Sequence, residues 1–208
     1  YEMLRSLVGS EMCIRDRFRR KDMVVTVFPT VGAGDAYQLI KQHGAGFDRV
    51  ICAGGDGTLH EAVHGLMEIP KEKRPGCGYI PTGTVNDFAN GIKLPKRVIS
   101  AAEVAAGDRC HAYDVGEMNG QYFSYVAAFG AFTEVSYSTP QETKNILGHQ
   151  AYMLEAIKRL TGLKSYRMRL TWEHLGEQRE LEEEFILGMV TNTTSIGGFK
   201  AVSYTHLR

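Results

Sequence analysis

The sequence predicts an α/β fold in which an N-terminal parallel sheet is followed by an incomplete, β-rich second domain. Short apolar runs alternate with helical patterns as far as about residue 107, and this alternation is typical of parallel strands covered by helices. Beyond about residue 110 the hydrophobic period shortens toward that of strands. The 208 residues are enough for one substantial core or two small ones.

The N-terminal part is predicted as strand, helix, strand, helix, strand, with one more helix behind it. In the second helix, apolar residues from Leu59 to Met67 recur at helical spacing, and Gly107 ends the last one. The predicted strands are Met23–Phe28, Val50–Ala53 and Gly78–Ile80, and the other predicted helices are Gly32–His43 and Val98–Ala106.

The C-terminal part is predicted to be mainly strands. Asn119-Gly120, between β-forming residues, indicates a hairpin turn. The predicted strands are Tyr113–Met118, Gln121–Ala128, Ser165–Trp172 and Glu184–Val190, with a helix at Gln141–Leu160. The first domain is therefore expected to cover residues 19–113 and the second, truncated domain residues 114–202.

The most informative segment is residues 50–69, where an apolar run leads through a glycine-rich loop into a helical pattern. Gly54, Gly55 and Gly57 let the backbone turn sharply and approach a ligand, and the first N–H groups of the helix attract anions. Asp56 lies among them, and a carboxylate beside phosphates indicates metal binding or proton transfer. The alternative is a plain turn, since Asp-Gly is also a common hairpin signal.

A second segment, residues 77–91, repeats the plan of a short strand, a small-residue turn and a polar helix start. Thr82, Gly83 and Thr84 offer hydroxyl and N–H groups to a phosphate chain, and Asn86 with Asp87 adds an amide and a carboxylate. The alternative is that Asn86 or Asp87 only caps a helix. Loops at consecutive parallel strand ends face the same crevice, so both segments are predicted to form one site.

Composition excludes several function classes. Acidic and basic side chains are equal in number, 24 each, which gives no signal for nucleic-acid binding. The chain has no uninterrupted apolar span of about 18 residues, so any membrane contact is expected to be peripheral. The four cysteines lack paired metal-ligand spacing, which favours reduced thiols in a cytoplasmic protein.

Together the motifs resemble the catalytic-domain family of bacterial diacylglycerol kinases, a lipid kinase family related to sphingosine kinases and NAD kinases. The resemblance covers roughly residues 23–200 and includes Gly-Gly-Asp-Gly-Thr-Leu-His-Glu, Ile-Pro-Thr-Gly-Thr-Val-Asn-Asp-Phe-Ala and Tyr-Asp-Val-Gly-Glu-Met-Asn. It implies ATP-dependent transfer of the γ-phosphate, with Mg²⁺, to the hydroxyl of diacylglycerol to give phosphatidic acid. Alternatives are a kinase for a sphingoid base, phosphatidylglycerol or a polyprenol, or an ATP-binding fragment without catalysis.

The resemblance also assigns roles to residues. It implies catalytic roles for Asp56 and Asp87 and a supporting polar network that includes Asp114 and Lys144. For Asp114 the alternative is a strand-end turn residue, and for Lys144 a solvated helix residue. Nucleotide contacts are implied for Thr30, Gly54, Gly55, Asp56, Gly57, Thr58, Leu59, His60, Glu61, Gly83, Thr84 and Asn86. His64 is interpreted as a surface or hydrogen-bonded histidine.

Partners and ends complete the expectations. The partners are ATP and a membrane lipid at the inner face of the cell membrane, with a homodimer left open. Residues 1–18 and 203–208 are interpreted as a non-native leader and tail, because they show no periodicity and resemble translated sequencing adapters. The resemblance places a magnesium-binding loop and a general-base Glu downstream of Lys200, so the metal ligands stay unknown.

Overall fold

The computed structural model describes residues 13–130, 165–192, 195–196 and 199–200. These residues fall into two compact units. The sheet unit comprises the described residues up to Tyr125 together with those from Thr191 onward, and the hairpin unit comprises the described residues from Val126 to Val190. The parallel sheet followed by antiparallel strands confirms the predicted α/β class.

The helices and strands of the described ranges are as follows. Helix α1 covers residues 13–19. Four further helices are α2 Asp35–His43, α3 Asp56–Met67, α4 Asp87–Gly91 and α5 Val98–Ala105. The strands are β1 Arg49–Gly54, β2 Gly76–Pro81, β3 Gly116–Met118, β4 Gln121–Phe123, β5 Val126–Gly130, β6 Tyr166–His174, β7 Glu177–Phe185, β8 Leu187–Thr191, β9 Ser195–Ile196 and β10 Phe199–Lys200.

Strands β1 and β2 form the parallel pair that the sequence predicts. Arg49 lies opposite Gly76 at one end and Gly54 opposite Pro81 at the other, so both strands end at the same edge. Antiparallel strands can be joined by a tight hairpin, but parallel strands require a crossover. Helix α3 supplies that crossover, and the loops before α3 and α4 therefore lie side by side.

Alternation along β1 and β2 sends side chains into two cores, one on each face of the sheet. Ile51 and Ile80 pack on one face against Ala101, Ala102 and Ala105 of α5. On the other face, the strands pack against α3 and α4. The second cluster formed there consists of Cys52, Leu59, Ala62, Tyr79 and Ala89. The sheet is thus held between helices, and the strand ends are fixed from both sides.

Gly78 shows why α5 can lie so close to the sheet. A Cβ built at Gly78 would lie 2.5 Å from Cδ1 of Ile51 and 3.0 Å from Cβ of Ala105. Interiors are packed without voids of that size, so only a hydrogen fits between strand and helix. A small residue at this position therefore sets the spacing of the sheet and α5.

The strand predicted at Met23–Phe28 is wrong, because residues 23–30 form no strand. The side chains of this segment still alternate as in a strand. Met23 and Val25 pack against the α5-facing core, and Val24 between them is 98% exposed. A strand also requires a hydrogen-bonded neighbour, and β1 pairs only with β2 in the described part of the sheet. The β-branched residues therefore predict the alternating burial, but they do not supply the neighbouring strand that pairing requires.

The hairpin around Asn119-Gly120 is confirmed, with shorter strands than predicted. Strands β3 and β4 pair antiparallel, Met118 opposite Gln121. Asn119 and Gly120 both have positive φ angles, 53° and 74°, as a two-residue hairpin turn of this hand requires. The predicted strand Gln121–Ala128 is divided into β4 and β5, and the hairpin of β3 and β4 belongs to the sheet unit.

In the hairpin unit, β6 confirms the predicted strand at Ser165–Trp172, but its partner β7 was not predicted. Six of the charged positions of residues 165–185 are Glu, which obscures any apolar alternation in β7 itself. The structure pairs these glutamates with arginines across the hairpin, as in Arg169 Nη2 to Glu182 Oε2 at 2.9 Å and Arg167 Nε to Glu182 Oε1 at 3.1 Å. Such cross-strand pairs contribute roughly 0.2–1 kcal/mol each.

The predicted strand Glu184–Val190 is divided into the end of β7, which stops at Phe185, and β8, which begins at Leu187. Residues 13–19, within and beside the segment interpreted as a leader, are helical, and Phe18 is buried in the α5-facing core. The helix predicted at Gln141–Leu160 lies outside the described residues. Within the described ranges, none of the helices has the length and apolar character that crossing a membrane requires.

Ile80 provides a direct test of the sheet packing. Its side chain is completely buried, so Ile80→Ala is expected to lower the free energy of unfolding by about 2–5 kcal/mol through lost burial and a residual cavity. The measurement is urea denaturation followed by circular dichroism. Val104→Ala is the matched control, because Val104 lies on α5 but is 50% exposed. Equal losses in the two variants would contradict this packing.

Candidate phosphate-binding site

The two predicted loops meet at the carboxyl ends of β1 and β2. The carbonyl oxygen of Gly54 accepts hydrogen bonds from the Thr82 N–H at 2.9 Å and from the Tyr79 hydroxyl at 3.2 Å. The backbones approach so closely that a Cβ built at Gly83 would lie 2.5 Å from Cα of Gly55. Glycine is therefore required at this contact by space, apart from any ligand.

Asp56 joins the second loop to the first. Its Oδ2 accepts a hydrogen bond from the backbone N–H of Asp87 at 3.0 Å, and its Oδ1 accepts one from Phe88 at 3.2 Å. These donors belong to the first turn of α4, where N–H groups have no intrahelical acceptor. A carboxylate at a helix N-terminus is also favoured by the helix dipole. Asp56 thus caps α4 from the start of α3.

Asn86 uses its side chain to shape the second loop. Its Oδ1 accepts a hydrogen bond from the Gly83 N–H at 3.0 Å, and its Nδ2 donates one to the Gly83 carbonyl at 2.6 Å. The backbone of Asn86 has a φ of 53°, a left-handed conformation that Asn adopts more readily than most residues. The Asn86 amide is therefore engaged within the loop.

Glu61 makes the corresponding link to α2. Its Oε1 accepts a hydrogen bond from the Gly34 N–H at 2.8 Å, and its Oε2 accepts one from the Ala36 N–H at 3.2 Å. These groups lie at the N-terminus of α2, so Glu61 is directed toward that helix. Thr30 is exposed just before this turn, and no contact joins it to the two glycine loops in the part of the chain that the structure describes.

The N-terminus of α3 differs from those of α2 and α4, because none of the described side chains accepts a hydrogen bond from its first turn. Gly55 is the N-cap residue without a side-chain hydrogen bond, and the first bond within the helix runs from the Leu59 N–H to the Gly55 carbonyl at 3.1 Å. The N–H groups of Asp56, Gly57 and Thr58 therefore lack an intrahelical acceptor. Since Asp56 and Glu61 fill the ends of α4 and α2, α3 presents the open anion-binding end.

The structure places the other predicted nucleotide contacts in different surroundings. Leu59 is 3% exposed in the core facing α3 and α4, so any contact with a nucleotide would fall to its backbone. Thr58 packs its side chain against Gly54, where an added Cβ would lie 2.6 Å from Cβ of Thr58. His60 is exposed on α3, and Asp87 is buried.

Thr84 is exposed and lines a small pocket of about 130 Å³ beside the second loop. This volume is small beside the ~300–1,000 Å³ of ordinary ligand pockets, so it holds at most one group of a larger ligand. The full lining consists of Pro81, Thr84, Val85, Asn86, Ala89, Asn90, Leu94 and Lys96.

The polar network predicted around Asp114 stays a prediction. The Asp114 side chain is exposed, and its backbone carbonyl accepts a hydrogen bond from Nδ2 of Asn192. The backbone N–H of Asn192 also donates a hydrogen bond to the Tyr125 carbonyl at 2.9 Å. Lys144 lies outside the described residues. Asn192, which sequence reasoning missed, thus connects Asp114 and Tyr125 within the sheet unit.

Electrostatics argue against a covalent nucleophile in this site. Burial, followed by the Asp56 charge, raises the pKa of Tyr79, so its hydroxyl stays protonated and donates to Gly54. Burial also raises the pKa of the Cys52 thiol, which keeps it neutral and unreactive. What the described residues offer is a set of backbone donors with fixed carboxylates around it, which suits binding and orienting an anion.

Two histidines of α3 form a pair that their spacing in the sequence indicates. His60 and His64 are four residues apart on α3, and such residues lie on one face of a helix. Their ring centroids are 6.2 Å apart. His64, which the sequence indicated as a surface or hydrogen-bonded histidine without ligand spacing, is therefore a direct neighbour of His60.

A pair of glycine substitutions tests the contact between the loops. Gly83→Ala is expected to destabilise the protein by about 1–3 kcal/mol, because the new methyl group would overlap the Gly55 backbone and Oδ1 of Asn86. Gly57→Ala is the control, since nothing lies within 4 Å of its Cβ position and alanine favours the helix. Thermal unfolding of both variants gives the comparison, and an unchanged Gly83→Ala protein would refute the close approach.

A second prediction concerns acid stability. Partial desolvation of the exposed His60 ring, and then the charge of His64, lowers the pKa of His60 below its ordinary value of 6.5. The unfolded chain therefore binds this proton more readily, and stability is lost as the pH falls through about 6.5. His60→Asn is expected to flatten the fall in the urea midpoint between pH 7.5 and 5.5, whereas His111→Asn, at an exposed position, is not. Identical pH profiles for the parent and His60→Asn would contradict this.

Comparison with known proteins agrees with this geometry. Residues 10–118 match the family model described as the diacylglycerol kinase catalytic domain. A protein of Bacillus subtilis (strain 168) named diacylglycerol kinase is 34% identical over 192 residues, which are 91% of this chain and 61% of that protein. One of the same name from Staphylococcus haemolyticus (strain JCSC1435) is 38% identical over 154 residues, 74% of this chain and 45% of its own.

Solved structures show the same relationship. The crystal structure of a diacylglycerol kinase from Bacillus anthracis str. Sterne superposes with a TM-score of 0.64 at 31% identity, over 82% of this chain and 56% of that one. A second structure from this strain gives a TM-score of 0.72 at 27% identity, over 93% of this chain and 63% of its own. The chain thus spans less than two thirds of these relatives. It belongs to the diacylglycerol kinase catalytic-domain family.

Proposed function

We propose that the chain binds ATP with its phosphates at the N-terminus of α3 and serves phosphoryl transfer to a lipid hydroxyl. The observation that carries the proposal is the open first turn of α3, set between two helix ends that the Asp56 and Glu61 carboxylates fill. An anion approaching the loops therefore meets unpaired backbone donors at the start of α3. Membership of the diacylglycerol kinase catalytic-domain family supports a nucleotide as that anion.

The backbone around α3 suits a phosphate chain. Gly55 and Gly57 carry no side chain that would hold a ligand away, and Gly57 has open space around its Cβ position. Phosphoryl transfer depends mostly on positioning and on neutralising phosphate charge, which oriented N–H groups provide without reorganising. The two glycines and the helix start therefore fit the role that the sequence predicts for this loop.

We assign Asp56 to holding the two loops together, in addition to the catalytic role that the sequence predicts for it. Both of its oxygens accept N–H bonds from α4, so the carboxylate sets the position of the second loop against the first. An asparagine has the same shape but can accept at only one of the two atoms. The remaining N–H of α4 would then face an NH₂ group, which costs about 1–3 kcal/mol if buried.

Magnesium would act by neutralising charge on the β- and γ-phosphates when bound with the nucleotide. In the described residues, no group of three or more His, Cys, Asp or Glu side chains converges to hold a metal. Asp56 is committed to α4, so these residues do not form a magnesium site by themselves. We therefore assign no step of the transfer to a protein-held metal.

The lipid substrate is proposed from the relatives. Their names make diacylglycerol the first candidate, with phosphatidic acid as product, and a sphingoid base, phosphatidylglycerol or a polyprenol as other lipid alcohols. A lipid acceptor requires peripheral contact with a membrane surface. A second candidate is ATP binding without turnover, which is favoured by the chain's 61% coverage of the Bacillus subtilis protein.

The test combines binding and turnover. The protein is titrated with MgATP by calorimetry and then incubated with MgATP and diacylglycerol in detergent micelles, with lipid phosphate as the readout. Asp56→Asn is expected to lower both nucleotide affinity and product formation by at least tenfold, because the two loops lose their link. Val104→Ala, on the exposed side of α5, is the control.

The outcomes separate the candidates. Lipid phosphate from the parent but not from Asp56→Asn supports the kinase. ATP binding without product from any of the lipid alcohols supports the second candidate. Absence of ATP binding by the folded parent would overturn the assignment of α3 as the phosphate site.

A further inference from the structure

We propose that His60 and His64 form a two-imidazole site for a borderline divalent transition-metal ion, such as Zn²⁺, Ni²⁺ or Cu²⁺, on the wall of α3. The two residues lie one helical turn apart, and their ring centroids are 6.2 Å apart. Imidazole nitrogen is a preferred ligand of these ions. This inference does not rest on the proposed function.

The distance between the rings is close to what a shared ion requires. Zinc binds imidazole nitrogen at about 2.0–2.1 Å, so two rings on one tetrahedral ion have centroids roughly 5 Å apart. The pair is therefore about 1 Å too wide at rest. His60 is exposed and free to rotate about χ1 and χ2, so a small rotation closes the difference.

His64 is the oriented member of the pair. Its ring lies 5.0 Å from the ring of Tyr37 on α2 and meets the Tyr122 ring of β4 edge-on at 5.7 Å. Tyr37 is itself held by Lys41, whose Nζ donates to its hydroxyl at 3.0 Å. A ligand that packing already orients loses less conformational freedom on binding, which favours chelation.

Residues 60–64, His-Glu-Ala-Val-His, also fit the helical pattern of zinc peptidases, in which the Glu acts as general base. The geometry speaks against that chemistry. Both oxygens of Glu61 accept N–H bonds from the N-terminus of α2, and no third ligand joins the histidines within the described ranges. The site is therefore assigned as a binding site with water completing the coordination, and no hydrolysis is proposed.

The test uses the metal ions alone, without nucleotide. Zn²⁺ is titrated into the protein by calorimetry at pH 7.5, and the Cu²⁺ form is examined by electron paramagnetic resonance, which counts coordinated imidazole nitrogens. His60→Asn and His64→Asn are each expected to weaken Zn²⁺ binding at this site at least tenfold and to reduce two coordinated nitrogens to one. His111→Asn, which changes an exposed histidine outside α3, is expected to change neither.

Circular dichroism verifies that each variant folds. If a partial folding defect weakens Zn²⁺ binding in a variant, the number of coordinated nitrogens still tests the proposal. Equal Zn²⁺ affinity in the parent, His60→Asn and His64→Asn would overturn the proposal. The proposal would also be overturned if the Cu²⁺ form of the parent had a single coordinated nitrogen and His111→Asn removed it.

Discussion

The structure of the site depends on one carboxylate at the start of α3. Asp56 accepts the first two N–H groups of α4, at 3.0 and 3.2 Å, and so fixes the second loop against the first. The parallel register of β1 and β2 brings the two loops to one edge, but it does not set the distance between helix ends. The carboxylate sets it through a charged acceptor placed at a helix N-terminus, where charge and hydrogen bonding act together.

The same arrangement makes the N-terminus of α3 different from those of α2 and α4. Glu61, five residues further along α3, occupies the N-terminus of α2 as Asp56 occupies that of α4. Both acceptors come from α3, while its own first turn has a glycine N-cap and receives no side-chain acceptor from the described part of the chain. Carboxylates of α3 therefore occupy the N-termini of two neighbouring helices, while the first N–H groups of α3 itself stay open. Under the proposed function, this difference would direct an incoming phosphate to the start of α3.

The sequence predicted the features that depend on local pattern. An apolar run followed by glycines indicated β1, its loop and α3, because period and composition determine those elements. It did not predict β7, whose glutamates are stabilised by arginines on β6, or the absence of pairing at residues 23–30. Both depend on a partner elsewhere in the chain. The polar residues of the site behave similarly, since sequence identified Asn86 and Glu61, and tertiary structure directed them to backbone groups.

The central claim is that the first turn of α3 receives the phosphates. The most direct measurement is amide NMR of the ¹⁵N-labelled protein during titration with MgADP. The account predicts the largest shift changes at the N–H groups of Asp56, Gly57 and Thr58, with little change at Gly107, whose carbonyl accepts a hydrogen bond from Arg49 at the opposite end of β1. Shifts of similar size along the chain, or saturating shifts that spare these three amides, would contradict it.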